Sequence, residues 1–432
     1  MNIHIKQNSQ LLTTNSQLKI TGSKSETNRL LLLQALYPNI ILENTSNSDD
    51  SEVMGNVVNY FNQSNGQIPP LGVSGLTFDV HHAGTAMRFL TAYFAIQEGK
   101  EIVLTGSSRM KERPIKIVVE ALQQLGAEIT YVENVGFPPL HIKGKKLTNN
   151  KVTLDANISS QYISALLLIA PKLENGLELT LQGEITSVPY IKMTLALLNE
   201  IGVETSFENN KIKVCHAELV SASKIVVESD WSSASYWYSI IALSQIGTQI
   251  TLSSYKNNSL QGDAALVEIY KSFGVETVFA SNEIILHKVN NLKPETLNFK
   301  LSDSPDIAQT IAVTCFGLGV GCHLTGLHTL KIKETDRLEA LKTELSKFGA
   351  TISVTNDSLT LLAHNLFDGE HSPPLEGYPQ GGVATYQDHR MAMAFAPLAL
   401  KVPITIENAE VVSKSYPTFW DDLKSFGFQI SE

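Results

Sequence analysis

The sequence predicts an α/β protein assembled from repeated units, and three observations indicate this class. A short pattern recurs along the chain, in which an amphipathic stretch ends in an apolar residue and glycine and leads into a β-rich stretch. A second kind of helix-like stretch, more apolar than the first, alternates with it. Short β-rich runs separate the two, so that helices and strands alternate throughout.

The glycine pattern occurs five times, at nearly even intervals of 76, 72, 75 and 78 residues. A glycine at the C′ position of a helix adopts positive φ without a Cβ clash, so each copy predicts a helix that leads into a strand. A degenerate further copy ends at Gly66, which gives six repeats or three per domain. The five copies are LQQLGAEIT (Gly126), LLNEIGVETS (Gly202), YKSFGVETV (Gly274), LSKFGATIS (Gly349) and LKSFGFQI (Gly427).

The second kind of helix is apolar almost all round, which indicates burial on most of its sides. Each copy opens with small, polar or charged residues. The copies are SKSETNRLLLLQAL, HAGTAMRFLTAYFAI, SSQYISALLLIA, SSASYWYSIIAL, SPDIAQTIAVTCFGL and QDHRMAMAFAPLAL. Strands are predicted between the helices, in EIVLTG, LELTLQG, TQITLSS, CHLTGL and PITIEN.

The chain length of 432 residues exceeds what one hydrophobic core usually serves, and two domains are therefore expected. The midpoint of the repeats places one domain at residues 22–228. Residues 1–21 and 229–432 form the other domain, and the predicted first strand, from about Ile3 to Ile20, belongs to it. The segment 215–224 lengthens one connection between strands and is predicted to be a surface loop.

Composition and charge exclude several classes of protein. With 43% hydrophobic and 18% charged residues, the chain has the composition of an ordinary globular protein. Its net charge of −10 argues against nucleic acid or an anionic membrane as a partner. No apolar run is long enough to span a membrane and the start lacks the layout of a secretory signal, so we expect a cytoplasmic protein, and a monomer. The cysteines Cys215, Cys315 and Cys322 lack metal-ligand spacing and are predicted to be buried or partly buried thiols.

Residues suited to anions cluster at the predicted starts of these helices. A helix N-terminus offers free backbone N–H groups and the positive end of its dipole, which suit phosphate or carboxylate. Because such starts lie in both halves, they predict two domains that bind a small, highly anionic molecule. They supply Lys24, Ser25 and Arg29; Gly84 and Thr85; Arg113, before a proline predicted to occupy a first helical turn; Ser159, Ser160 and Gln161; Lys333, Glu334, Asp336 and Arg337; Asp388, His389 and Arg390; and Lys414, predicted to open the last helix.

Seven blocks of the chain, in order from about residue 20 to residue 420, resemble the 5-enolpyruvylshikimate-3-phosphate synthase family. They are TGSKSETNRLLLLQAL, AGTAMRFL, RMKERPI, SSQYISALLL, SVPYI, KIKETDRLEAL and TYQDHRMAMAFAPLAL. The resemblance implies a two-domain inside-out α/β barrel of βαβαββ units, three per domain, in agreement with the repeats. It also implies transfer of the enolpyruvyl group of phosphoenolpyruvate to the 5-hydroxyl of shikimate 3-phosphate, with release of phosphate, in the synthesis of chorismate and aromatic amino acids.

The resemblance implies a role for each matching residue. Contacts with shikimate 3-phosphate are expected from Ser25, Arg29, Ser159, Ser160, Ser187, Tyr190, Asp306 and Lys333. Contacts with phosphoenolpyruvate are expected from Lys24, Gly84, Arg113, Gln161, Arg337, Arg390 and Lys414. In the catalytic set, Asp306 takes the proton of the 5-hydroxyl, Glu334 protonates the methylene, and Lys24 faces both substrates. No metal or organic cofactor is expected, and glyphosate is expected to compete with phosphoenolpyruvate.

Other interpretations stand beside these roles. Asp306 could instead cap the helix opened by SPDIAQ. His389 could be a packed residue that orients Arg390, or it could transfer a proton directly. Arg88 is expected to stabilise its own helix or loop rather than to touch substrate. The tryptophans are expected in the core or between the domains rather than as a stacking platform: Trp231, Trp237 and Trp420.

The chain departs from the family pattern at three positions, where His82 replaces a common Asn, Phe89 a common Pro and Thr329 a common Asn. The nearest alternative enzyme is UDP-N-acetylglucosamine enolpyruvyl transferase, which shares the fold and reaction type. That family uses a loop cysteine near the phosphoenolpyruvate site, and the corresponding SSRMKERPI has none. A non-catalytic binding protein would lack the two proton-transfer carboxylates.

Overall fold

Helices and strands alternate along the chain in the computed structural model, which confirms the predicted α/β class. The structure describes residues 1–7, 16–63, 76–155, 159–183, 185, 188–218, 224–291, 296–367 and 382–432. The chain folds into two compact units, one of them Gly22–Val227 and the other the combination of Met1–Thr21 with Glu228–Glu432. Among the described residues, no helix is long and apolar enough to cross a membrane.

The helices and strands are as follows. Up to Val227 they are β1 Ile3–Gln7, β2 Ser16–Leu18, α1 Lys24–Leu36, β3 Ile41–Glu43, α2 Asp49–Gln63, β4 Leu76–Asp79, α3 Gly84–Ala95, β5 Glu101–Thr105, α4 Ser108–Lys111, α5 Lys116–Gln124, β6 Glu128–Tyr131, β7 Leu140–Lys143, β8 Lys151–Asp155, α6 Ser160–Ile169, a 3₁₀ helix Ala170–Lys172, β9 Leu177–Gln182, α7 Val188–Glu200, β10 Thr205–Glu208, β11 Lys211–Val214 and β12 Lys224–Val226. From Glu228 onward they are α8 Trp231–Leu243, β13 Gln249–Ser253, α9 Leu266–Lys271, β14 Val275–Ala280, β15 Glu283–Lys288, β16 Thr296–Lys300, α10 Ala308–Leu318, β17 Gly321–Thr325, α11 Arg337–Lys347, β18 Ile352–Val354, β19 Ser358–Leu361, α12 His389–Phe395, β20 Ile404–Ile406, α13 Phe419–Ser425 and β21 Phe428–Ser431, with 3₁₀ helices at Gly262–Ala265, Pro305–Ile307, His328–Ile332, Ala396–Leu400 and Ala409–Lys414.

The described strands form three sheets in each unit. Those of Gly22–Val227 have the strand orders β4-β5-β7-β6, β8-β9-β11-β10 and β3-β12. Those of the other unit have the orders β2-β13-β15-β14, β16-β17-β19-β18 and β20-β1-β21. In every four-stranded sheet the first two strands are parallel and the later pairs are antiparallel. One strand order therefore recurs four times.

Each unit has its own hydrophobic core, formed where the apolar helices pack. All residues of α3 are buried, and so are those of α8 apart from Ser232. Trp231, Trp237 and Trp420 lie in the core of the unit that contains Glu228–Glu432, as predicted. The apolar character of these helices is thus explained by burial on most sides.

The five repeat glycines end helices in the predicted way. Each follows a helix and precedes a strand, at α5/β6, α7/β10, α9/β14, α11/β18 and α13/β21. Their φ angles lie between 72° and 108°, where a residue with a Cβ is disfavoured. Gly66, the degenerate copy, lies outside the described residues.

Two local predictions are wrong. The first strand does not run from Ile3 to Ile20, because β1 pairs with β20 and β21 whereas β2 pairs with β13 in a different sheet. Cys215 is exposed rather than buried, since it follows β11 at the beginning of the connection 215–224, whereas Cys315 and Cys322 are buried free thiols. Residues 219–223 of that connection lie outside the described residues.

Candidate active site

Three helices of the unit Gly22–Val227 begin at predicted site residues. Lys24 and Ser25 are the first residues of α1, Gly84 is the first of α3, and Ser160 is the first of α6, with Ser159 as its N-cap. The three helices pack against one another. The amide of Gln161 donates to the hydroxyl of Thr85 at 3.3 Å, which joins the starts of α3 and α6. The structure therefore packs together three helices whose N-terminal ends carry predicted anion-binding residues, and such ends favour negative charge.

Arg29 is a buried cation whose hydrogen bonds go to neutral oxygens. Its Nε donates to Thr194 at 2.8 Å, its Nη1 to the Ser25 carbonyl at 2.7 Å, and its Nη2 to Ser164 at 2.9 Å. Among the described residues, no carboxylate forms an ion pair with it. Burial lowers the pKa of Arg29 to about 10, which still leaves the guanidinium charged at neutral pH. Such a charge is suited to an anionic ligand.

The rings of Phe89 and Tyr190 lie 5.5 and 5.8 Å from the Arg29 guanidinium carbon, within the range of cation–π contacts. Phe89, one of the departures from the family pattern, is thus fully buried beside a predicted anion ligand. Ser187, predicted to bind shikimate 3-phosphate, lies outside the described residues.

Gly84 lies against two guanidinium groups. A Cβ on Gly84 would stand 2.6 Å from Nη1 of Arg113 and 3.0 Å from Nη1 of Arg88. Arg88 donates to the Gly84 carbonyl at 2.7 Å and so stabilises its own helix, as predicted. The prediction that Pro114 occupies a first helical turn is wrong, because α5 begins at Lys116. The Pro114 carbonyl instead accepts a hydrogen bond from the Tyr162 hydroxyl at 2.7 Å.

Carboxylates at the start of α2 pair with two groups near these helix starts. Lys24 lies 3.4 Å from Asp50, and His82 lies 3.3 Å from Asp49. The Lys24 and Asp50 side chains are both partly accessible, at 25% and 12% exposure. Asp50 was not predicted as a site residue, because the sequence shows only that the first turn of α2 is acidic and not that this turn lies beside Lys24.

In the unit that contains Glu228–Glu432, Arg337 holds three carboxylates. Its Nε lies 2.6 Å from Asp388, its Nη1 2.8 Å from Asp306, and its Nη2 2.8 Å from Glu334. The Arg337 side chain is only 2% exposed. Although burial disfavours its charge, the carboxylates of Asp388, Glu334 and Asp306 hold the pKa of Arg337 above its ordinary value. The guanidinium therefore fixes Asp306 and Glu334 relative to each other.

Asp306 contacts two further cations, and it does not cap a helix. Its carboxylate lies 3.4 Å from Lys333 and 3.2 Å from Arg390. Neither the 3₁₀ helix Pro305–Ile307 nor α10 has a side-chain hydrogen bond at its N-cap, so the capping interpretation is wrong. His389 is buried at the start of α12, 3.9 Å from Asp388, as expected of a packed residue.

The prediction that Lys414 opens the last helix is wrong. Lys414 ends the 3₁₀ helix Ala409–Lys414, whereas α13 begins at Phe419. Its ammonium group donates to the Gln387 carbonyl at 2.8 Å. Gln387 immediately precedes Asp388, the N-cap of α12, so Lys414 is held beside the helix that carries Arg390.

Sequence reasoning missed a second buried carboxylate in this cluster. The hydroxyl of Ser232 donates to Asp263 and accepts from Arg390 Nη2 at 3.2 Å. Burial and the nearby charge of Asp306 raise the pKa of Asp263 to about 6. Asp263 lies in the 3₁₀ helix Gly262–Ala265, and no local signal in the sequence connected it to Arg390. Among the described residues, no group of three or more His, Cys, Asp or Glu side chains is arranged to hold a metal ion.

Comparison with known proteins shows the family of the chain. The family model described as EPSP synthase (3-phosphoshikimate 1-carboxyvinyltransferase) matches residues 10–423. The chain belongs to the EPSP synthase family. EPSP synthase is the short form of the family name that the sequence blocks suggested, so the predicted resemblance is confirmed.

Similar proteins in the EPSP synthase family cover almost the whole chain. A 3-phosphoshikimate 1-carboxyvinyltransferase of Bacteroides fragilis strain YCH46 is 45% identical over 97% of this chain and 98% of its own. One of Haemophilus influenzae (strain KW20) is 35% identical over 94% of this chain and 95% of its own. The alternative, UDP-N-acetylglucosamine enolpyruvyl transferase, is not favoured.

Two solved structures of EPSP synthase from Acinetobacter baumannii have TM-scores of 0.78 and 0.76 with this chain. Each is 20% identical and covers 100% of both chains. At this identity the likeness concerns the fold, an α/β arrangement of mixed sheets and helices.

Proposed function

We propose that the chain transfers the enolpyruvyl group of phosphoenolpyruvate to the 5-hydroxyl of shikimate 3-phosphate and releases phosphate. Membership of the EPSP synthase family and relatives at 35–45% identity support this activity. The observation that carries the proposal is the pair of carboxylates, Asp306 and Glu334, on the single guanidinium of Arg337. The reaction requires one acid and one base, and this pair supplies them.

In the first step Asp306 accepts the proton of the 5-hydroxyl of shikimate 3-phosphate, while the oxygen of that hydroxyl bonds to the central carbon of phosphoenolpyruvate. Glu334 gives its proton to the methylene carbon, so the double bond becomes a methyl group and a tetrahedral ketal forms. In the second step the methyl group returns a proton to Glu334, the double bond forms again, and the bond from carbon to the phosphate oxygen breaks as the leaving phosphate takes the proton that Asp306 had accepted. Both carboxyl groups thereby regain their starting protonation states, and Glu334, which is 29% exposed, can also exchange its proton with solvent.

The charges of both substrates suit the cations of the two units. In Gly22–Val227 we assign Lys24, Gly84, Arg113 and Gln161 to phosphoenolpyruvate, and Ser25, Arg29, Ser159, Ser160, Ser187 and Tyr190 to shikimate 3-phosphate. In the other unit we assign Arg337, Arg390 and Lys414 to phosphoenolpyruvate, and Asp306 and Lys333 to shikimate 3-phosphate. Lys24 belongs to the catalytic set, because its ammonium group is suited to neutralise charge that develops on the leaving phosphate.

Arg337 has a second proposed task. Because its Nε and both Nη atoms already contact carboxylates, we infer that it orients Asp306 and Glu334. The remaining N–H group of the Arg337 guanidinium fork would donate to a phosphoenolpyruvate oxygen. Asp388, fully buried at the N-cap of α12, keeps that fork in place.

The finer fold remains a proposal too. We propose an inside-out α/β barrel of six βαβαββ repeats, three in each of the domains 22–228 and 1–21 with 229–432. The recurring strand order and the five helix-ending glycines support it. The unit boundaries at Gly22 and Val227 support the domain division. A cytoplasmic monomer remains a prediction.

A coupled phosphate-release assay tests the function. Phosphate should appear only when phosphoenolpyruvate and shikimate 3-phosphate are both present, with each omitted in turn as the control. A parallel reaction with UDP-N-acetylglucosamine as the acceptor should give none. Phosphate release with the nucleotide sugar, or none with shikimate 3-phosphate, would refute the proposal.

A further inference from the structure

Helix α11 grips the segment Ala384–Asp388 at two points. The first is Arg337, the first residue of the helix, which contacts Asp388. The second is Glu344, seven residues further along the same helix. Seven residues are close to two turns, so both side chains project from one face of α11. The segment that leads into α12 is therefore fixed at both of its ends.

Glu344 is a fully buried carboxylate with both oxygens engaged. Its Oε1 accepts the Tyr386 hydroxyl at 2.7 Å, and its Oε2 accepts the backbone N–H of Ala384 at 3.1 Å. Lys347, one turn along the helix, lies 2.6 Å from Oε2 and offsets its charge. Burial and the neighbouring Glu344 raise the pKa of Tyr386 to about 12, so its hydroxyl remains a donor at neutral pH.

Between the two grips the backbone is strained. Tyr386 has φ 53° and Gln387 has φ 58°, and neither is a glycine. Two consecutive side-chain-bearing residues in the left-handed region persist only where surrounding contacts hold them. This strained turn directs the Gln387 carbonyl to Lys414, whose ammonium group donates to it at 2.8 Å.

We propose that Glu344 is a positioning residue of the phosphoenolpyruvate site, which acts through Tyr386 and the Gln387 carbonyl on Lys414. The inference rests on the proposed function, because that function assigns Lys414 to phosphoenolpyruvate. Loss of the Glu344 contacts lets the turn relax toward an ordinary backbone conformation. The Gln387 carbonyl then turns away, and the Lys414 ammonium group loses the acceptor that fixes its place.

Two variants test this role. Glu344→Gln keeps the shape of the side chain but removes its charge and one acceptor oxygen, and Tyr386→Phe removes only the donor. The matched control is Glu339→Gln on the same helix. Glu339 is exposed, and its carboxylate lies 3.2 Å from the Lys342 ammonium group rather than against the segment Ala384–Asp388. KM for each substrate and kcat are measured for all three variants, together with urea unfolding.

The expected result is selective. Both test variants should raise KM for phosphoenolpyruvate by at least about fivefold, since small displacements of a positioned group have large kinetic effects. KM for shikimate 3-phosphate should stay within about twofold, and Glu339→Gln should match the wild type in both constants. In a Lys414→Met background, Glu344→Gln should have no further effect on KM for phosphoenolpyruvate, because coupled positions are not additive.

Equal effects of Glu344→Gln with and without Lys414→Met would overturn the proposal, as would parallel rises in both KM values. A chain without phosphate release would instead overturn the proposed function. The rate at which an acetylating reagent modifies Lys414, read by mass spectrometry, then decides the positioning role without any assay of activity. It should rise in Glu344→Gln relative to Glu339→Gln, and an unchanged rate would refute the role.

Discussion

The contact of Gly84 with two arginines makes Gly84→Ala a sharp perturbation of the proposed phosphoenolpyruvate contacts within the unit Gly22–Val227. The added methyl carbon would lie 2.6 Å from Nη1 and 3.1 Å from Cζ of Arg113. Ordinary contacts of this kind are about 3.5 Å or longer, so the Arg113 guanidinium must move by about 1 Å. The guanidinium is the end of the flexible Arg113 side chain, so it can move without displacing the backbone.

The size of the effect follows from that displacement. A misplacement of about 1 Å in a positioned group costs up to about a hundredfold in catalysis. We therefore expect KM for phosphoenolpyruvate to rise between about tenfold and a hundredfold, while KM for shikimate 3-phosphate stays within about twofold. Gly84 does not have the positive φ that would strain an alanine. Alanine favours helices over glycine by about 1 kcal/mol, and this gain opposes any loss caused by the displaced guanidinium, so the free energy of unfolding should change little.

The phosphate-release assay, with each substrate varied in turn, measures these constants. Gly55→Ala is the matched control, because a Cβ at Gly55 in the middle of α2 would meet only Leu31 Cδ1, at 3.9 Å. It should raise the free energy of unfolding by about 0.5–1 kcal/mol and leave both KM values unchanged. The family resemblance predicts that glyphosate competes with phosphoenolpyruvate, so its inhibition constant should also rise in Gly84→Ala.

An unchanged KM for phosphoenolpyruvate in Gly84→Ala would show that Arg113 does not bind this substrate. A rise in KM for shikimate 3-phosphate alone would mean that the two substrates were assigned the wrong way round in this unit. Equal glyphosate inhibition constants for the wild type and Gly84→Ala would show that Gly84 does not line the inhibitor site.

Three further predictions concern the other unit. Asp306→Asn and Glu334→Gln should keep the fold but lower kcat at least about a hundredfold, and near-normal turnover would remove that residue from the mechanism. In the folded protein Asp263 keeps its proton up to about pH 6, whereas in the unfolded chain it loses the proton near pH 3.8. Unfolding between these pH values therefore releases a proton, and the free energy of unfolding falls as pH rises, by at most about 3 kcal/mol. Urea unfolding at pH 4 and 7 should therefore show a smaller fall in Asp263→Asn than in the wild type, and equal falls would contradict the buried, protonated state. Asp388→Ala removes a carboxylate 2.6 Å from buried Arg337 and should lower the free energy of unfolding by about 3–5 kcal/mol. A loss below about 1 kcal/mol, measured by urea unfolding, would contradict this prediction.

The sequence by itself determined the α/β class, the helix ends at the five repeat glycines and the starts of α1, α3 and α6. Gly126 and Gly349, for example, terminate helices with positive φ as predicted, because a glycine at C′ acts within one turn of the chain. Lys24 and Gly84 are the first residues of α1 and α3 for a related reason. Small or polar residues directly before an apolar run are a local signal, and local signals can be read without the fold.

Only the tertiary structure decided which side chains meet. Arg337 contacts Asp388, 51 residues away in the chain, and the Ser232 hydroxyl joins Asp263 to Arg390 across three different segments. Such pairs depend on how helices pack, and no periodicity within either segment encodes them.

The same reason explains the error at the N-terminus. Residues from Ile3 to Ile20 read as one strand, because their pattern is compatible with an extended chain. Their division between β1 and β2 is set by partners far along the sequence, since Ile3 pairs with Ile406 and Leu18 with Leu252. A strand acquires its backbone hydrogen bonds only from its neighbours in the sheet, so the fold decides where it begins and ends.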